Sequence, residues 1–253
     1  MPIMSGLIGL SWVALLLWEQ SPYGRYLDHG NWTEIGFAAT MCQVIPAGDL
    51  LLPMLLYAGG WLLMLAAMML PTTLPLLRRF HHLVSARTDR AGLVGLLIVG
   101  YLLAWVGFGV VAHVLNLTLH LIARQAPWVA AHAWLLGAAV LLIAGGFQFT
   151  TLKYHCLDRC RTPLGFIIRH WHGVRPRHDA FQLGWSHGIF CVGCCWAIML
   201  LMFVVGTGNV GWMLLLGAIM ALEKNAPWGR KLGLPLGASL IGAAGVIVVG
   251  NLA

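Results

Sequence analysis

The sequence predicts an all-α, polytopic transmembrane helical bundle with its N-terminus in the cytoplasm. Three observations predict it. The chain is 60% hydrophobic and only 9% charged, with a mean hydropathy of +0.83, more apolar surface than a soluble chain of 253 residues can hide. The apolar residues come in stretches of about 20, the length that crosses a bilayer core. The loops between those stretches alternate between basic and non-basic.

Seven stretches qualify: Pro2–Trp18, Leu50–Leu77, Leu93–Ile122, Val129–Thr151, Phe181–Val205, Val210–Leu222 and Leu232–Leu252. The first opens the chain without a charged leader or a small-x-small cleavage site, so it reads as a retained helix. The second carries Pro71 and Pro75, which predict a kink near its end. The segment 19–49 holds Glu19, Asp28, Glu34 and Asp49 against Arg25 alone, and reads as extracytoplasmic. The next loop has Arg78, Arg79, Arg87 and Arg90, and the one after it only Arg124. The stretch 152–180, with Lys153, Arg159, Arg161, Arg169, Arg175 and Arg177, reads as a basic cytoplasmic loop. Gly206–Asn209 is uncharged, and the last loop holds Lys224, Arg230 and Lys231. Strict alternation with basic loops inside requires an odd number of spans. Residues 1–253 thus read as one transmembrane helical domain. The net charge of +7 and the twelve Trp fit membrane orientation and anchoring rather than nucleic-acid binding.

The chemistry concentrates in "HGIFCVGCCWAIM". His187, Cys191 and Cys195 follow one another at i, i+4 and i+8, and Cys194 joins Cys191 at i+3, so one helix face carries an imidazole and three thiols. Met199 and Met202 continue that face. Counted from Phe181, Cys191 lies about 15 Å and Cys195 about 20 Å into the membrane. "KYHCLDRCRTP" adds Cys156 and Cys160, four residues apart, at the same membrane side, and Met68 and Met69 lie in "AAMMLPTTLP". Glu223 is the acid nearest a span end there, beside Lys224 at the interface. Lone membrane cysteines and methionines pack as apolar residues; three cysteines in five positions, one turn after a histidine, read as a metal site. His113, His120, His81 and His82 read as core or headgroup-facing residues, and Cys42 has no evident disulfide partner.

Thiolate, thioether and imidazole are soft or borderline ligands, which favours a metal ion such as Cu(I), with zinc second, over Mg or Ca. The candidate ligands are Cys156, Cys160, His187, Cys191, Cys194, Cys195 and Glu223, with Met68, Met69 and Met199 as secondary ligands. The function expected is binding of copper or another soft metal, for transport or delivery to a partner metalloprotein. Two other classes stay open: a membrane thiol–disulfide oxidoreductase working through the same cysteines, and a structural or assembly subunit of a larger membrane complex. The sequence contains no nucleotide-binding loop, P-type ATPase signature or protease motif, so ATP-driven pumping within this chain is not expected.

"AAMMLPTTLP", "FQFTTLKYHCLDRCRTPLGF", "LGWSHGIFCVGCCWAIMLLMFVVG" and "LEK" together resemble a bacterial domain-of-unknown-function family of predicted metal-binding integral membrane proteins. The resemblance runs roughly from Met54 to Lys224; "DHGNWTEIG" and "MCQVIP" lie outside it. It implies a multi-pass protein of the bacterial inner membrane and a metal site at Cys156, Cys160, Cys191, Cys194, Cys195 and Glu223.

Overall fold

The computed structural model describes residues 2–21, 51–126, 128, 131–205 and 209–252, and among these the architecture is all-helical, without a strand. The elements are α1 (Pro2–Glu19), α2 (Leu51–Leu83), α3 (Arg90–Gln125), α4 (Ala133–Phe147), α5 (Thr151–Arg161), α6 (Pro163–His170), α7 (Pro176–Val205), α8 (Val210–Asn225), a 3-10 turn (Gly229–Leu232) and α9 (Gly233–Leu252). Cys42 and nearly all of the segment 19–49 lie outside the described residues.

With one exception, the apolar stretches of the sequence form continuous helices over their described residues. Four described segments are long and apolar enough to cross a membrane: Ala58–Leu83, Arg90–Asn116, Pro176–Val204 and Gly229–Leu252. α1 is a shorter apolar helix, and α8 has 16 residues. The stretch expected as one helix over Val129–Thr151 instead stops at Phe147, and the chain turns by 64° into α5. The cause is local. Three successive i−3 bonds (Gln148 to Gly145, Phe149 to Gly146 and Thr150 to Phe147) tighten the end of α4. The Thr150 hydroxyl then accepts from the Lys153 amide at 3.3 Å and starts a new helix.

The stretch 152–180, read from its charges as a loop, contains α5, α6 and the start of α7. α5 docks on α7 by burying Cys156 and Leu157, and α6 does so with Phe166 and Ile167. The turn before α7 needs Gly173, whose φ of 74° places it in the left-handed region. Its amide donates to the Asp179 carboxylate at 2.9 Å. α2 is a single helix through Pro71 and Pro75. The Thr72 and Thr73 hydroxyls donate to the Met69 and Leu70 carbonyls at 2.8 and 3.0 Å, adding side-chain donors to the turn where proline removes backbone ones.

α2 and α7 form the interior, while α3 and α9 keep most of their surface outside, where Val110, Val111, Val246 and Val249 are exposed. Outward apolar side chains around a core that holds buried lysines, a glutamate and a histidine suit a lipid environment. The tightest pairing is α3 with α7. A Cβ at Gly184 would lie 2.0 Å from the Leu97 carbonyl oxygen, and one at Gly100 would lie 2.4 Å from that of Phe181. Small residues that let two backbones approach this closely are the usual device for packing membrane helices.

Gly184→Val should therefore force α3 and α7 apart, at a cost of about 1–3 kcal/mol or more. Gly95→Ala, where a Cβ meets open space, should be neutral or stabilise by up to about 1 kcal/mol. Thermal unfolding of the two variants in the same detergent checks the contrast.

Candidate metal centre

The α3–α7 contact sets the floor of the site. It lays Tyr101 of α3 against α7, so that its hydroxyl lies 3.0 Å from Cys191 Sγ and 3.3 Å from the Met69 carbonyl of α2. Cys191, Cys194 and Cys195 are all at most 1% exposed. The Cys194 and Cys195 sulfurs are 3.5 Å apart, and Cys160 of α5 brings its sulfur to 4.0 Å from that of Cys194. The Cys194 thiol also donates to the Cys191 carbonyl at 3.2 Å, and Cys160 and Cys195 are close neighbours of Cys191. Four sulfurs from two helices thus share one pocket, and every described cysteine is a free thiol.

Cys156 stands apart. It packs on the neighbouring strip of α7, where a Cβ at Gly193 would come within 2.8 Å of its sulfur. Glycine at 193 is what lets α5 lie close enough to deliver Cys160. Glu223, expected beside the sulfurs, is turned to α5 instead. Its Oε1 accepts from Lys153 Nζ at 2.5 Å, both side chains being at most 1% exposed. The same ammonium donates to the Gln148 side-chain oxygen, so the turn between α4 and α5 supplies part of this buried polar group. Arg161 fixes the end of α8 by donating to the carbonyls of Glu223, Ala226 and Pro227, at a place where helical backbone bonding runs out.

Lys224 fills the place beside Cys191. It is 5% exposed, and its ammonium lies 2.7 Å from Cys191 Sγ and 3.3 Å from Thr72 Oγ1. The charge reading of the sequence left Lys224 at the membrane surface. A finer signal was present: Met213, Gly217, Met220 and Lys224 recur at 4, 3 and 4 residues, one helical stripe, and all are buried. Tyr101 and Thr72 carried no comparable sequence signal. The secondary candidates Met68, Met69 and Met199 are buried in the same core as the cysteines, together with Met202, Met213 and Met220.

Two observations fit a soft metal ion. The imidazole of His187, one turn before Cys191, is 3% exposed, and its Nδ1 has no hydrogen-bond partner. It sits between the Tyr101 and Phe166 rings, at 6.0 and 5.3 Å. With metal–sulfur bonds of about 2.3 Å, two sulfurs on one ion stand about 3.8 Å apart at a tetrahedral angle and about 4.6 Å apart in line. The sulfur pairs at 3.5 and 4.0 Å are close to that range. Among the described residues, no three His, Cys, Asp or Glu side chains already converge on a single ion position. The pocket offers sulfurs in adjacent pairs, not a closed cage.

Removing one member of the buried Lys153–Glu223 pair strands the other. Lys153→Met should cost about 3–5 kcal/mol, whereas the double variant with Glu223→Met should recover most of that loss. Denaturant unfolding of the single and double variants in micelles measures the difference.

No curated protein and no solved structure matches the chain. A family model does: PpoB2, copper chaperone, matched over residues 58–248 of 253. That interval takes in the helices carrying the four pocket sulfurs, His187 and Lys224, and the chain belongs to the PpoB2 copper chaperone family.

Proposed function

We propose that this protein is an integral membrane copper chaperone that holds Cu(I) in its sulfur pocket and delivers it to a partner metalloprotein. The observation that carries this reading is the gathering of Cys160, Cys191, Cys194 and Cys195 within a methionine-rich core, in a chain of copper chaperone family membership. Thiolates match Cu(I) in softness and offset its charge where the surroundings cannot. His187 is the nitrogen ligand of this proposal. Cys156 and Glu223 stand outside the ligand set, because one packs on Gly193 and the other is committed to Lys153.

Detergent-purified protein loaded with Cu(I) under reducing conditions should retain stoichiometric copper after desalting. Cys191→Ser and Cys160→Ser should each weaken binding by about ten-fold or more, a loss of about 1.4 kcal/mol. Cys156→Ser should stay near wild type. Wild-type protein that retains no copper would sink the proposal, and a reversible Cys194–Cys195 disulfide without metal would favour thiol–disulfide exchange instead.

The loop charges support seven passes through a bacterial inner membrane with the N-terminus and the basic segments inside. Single cysteines at Ser85 and Asn209, in a background lacking the native cysteines, should then label from opposite sides of intact spheroplasts. Ser85 should be protected from an impermeant maleimide and Asn209 should react with it. Labelling of both from one side would exclude this orientation.

A further inference from the structure

We propose that Lys224 makes the pocket selective for a monovalent soft cation, by serving as the fixed counter-charge of a two-thiolate complex that includes Cys191; this rests on the copper reading above. The starting observation is that Lys224 points its side-chain nitrogen at the sulfurs of the proposed site rather than away from them. Its ammonium lies 2.7 Å from Cys191 Sγ and 3.3 Å from the Thr72 hydroxyl, in the interior of the bundle. The acid next to it in sequence cannot balance that charge at this position, because Glu223 is spent on Lys153 of α5. The balancing charge therefore comes from the sulfurs.

The arithmetic of charge then discriminates between metals. Two thiolates and one Cu(I) carry a net charge of −1, which the Lys224 ammonium brings to zero. Two thiolates and one divalent ion are already neutral, and Lys224 would leave an uncompensated positive charge in the core, a costly arrangement. A third thiolate would restore neutrality for the divalent ion, but among the described residues no three His, Cys, Asp or Glu side chains converge on one ion position, and structural zinc sites take four ligands. Lys224 is in this sense a positioning and specificity residue, which acts through charge without binding the metal itself.

The test uses the full chain in lipid nanodiscs, with Cu(I) alone and Zn(II) alone as probes, each titrated against a chromophoric chelator. Lys224→Met removes the charge and keeps the length. It should lower Cu(I) affinity about ten-fold or more while Zn(II) affinity holds or rises, so the Cu(I)-to-Zn(II) affinity ratio falls at least as far. Lys224→Arg, which keeps the charge, should restore the ratio to within about three-fold of wild type. Lys224→Gln is the second neutral variant, with a donor kept for Thr72, and it should repeat the Met result if the Met variant does not fold. An equal loss for both metals in the neutral variants, an unchanged ratio, or an Arg variant as poor as the neutral ones would overturn the proposal. Wild-type protein that binds no Cu(I) would remove the copper reading and this one together. Wild-type protein that binds Cu(I), with an unaltered metal ratio in the neutral variants, would remove this one alone.

Discussion

A charge inside an apolar bundle must meet a polar or charged partner, and at the end of α8 two adjacent residues meet theirs on different helices. Glu223 faces Lys153 of α5, and Lys224 faces Cys191 of α7. Because neighbouring helix positions diverge by about 100°, one short segment is tied in two directions at once. Arg161 then holds the same segment by its carbonyls. Breaking either pairing would leave a buried ion without a partner, so the relative placement of α5, α7 and α8 has little latitude. The cysteines are held by that three-way tie.

The close contact between α3 and α7 has a second effect. With glycines at the crossing, helix separation is set by backbone atoms rather than by flexible side chains. Tyr101 is delivered to Cys191 by that contact, and its hydroxyl also reaches α2. The methionines around the sulfurs behave differently. Their unbranched, polarizable side chains fill irregular space and adapt to change. The pocket therefore pairs a stiff backbone frame with a soft lining.

Much of the architecture was legible in the sequence. Apolar length located the long helices, because a bilayer demands it, and helical phase put His187, Cys191, Cys194 and Cys195 on one face. What failed to show was whatever depends on a partner helix. The charges of Lys153 and Arg161 suggested an open loop, yet Lys153 turns inward to the Glu223 carboxylate and Arg161 to the Glu223 backbone carbonyl, 70 and 62 residues away, and composition cannot reveal that meeting. Spacing made Cys156 and Cys160 equivalent; only the docking of α5 separates one, against Gly193, from the other, beside Cys194. The bend after Phe147 was hidden because glycine and threonine near a helix end are compatible with both a stop and a continuation. Glu223 and Lys224 were adjacent letters, and their exchange of expected roles follows from which neighbour each side of α8 meets.

The partial exposure of Cys160 sets an order of events. Cys160 is half-buried as a residue, whereas Cys191, Cys194 and Cys195 are fully buried. On the proposed copper reading, an ion arriving along α5 would meet Cys160 first and would pass to Cys194, whose sulfur stands 4.0 Å away. Release would then retrace that path, and a receiving ligand would need to reach only Cys160 while the buried thiols behind it stayed dry.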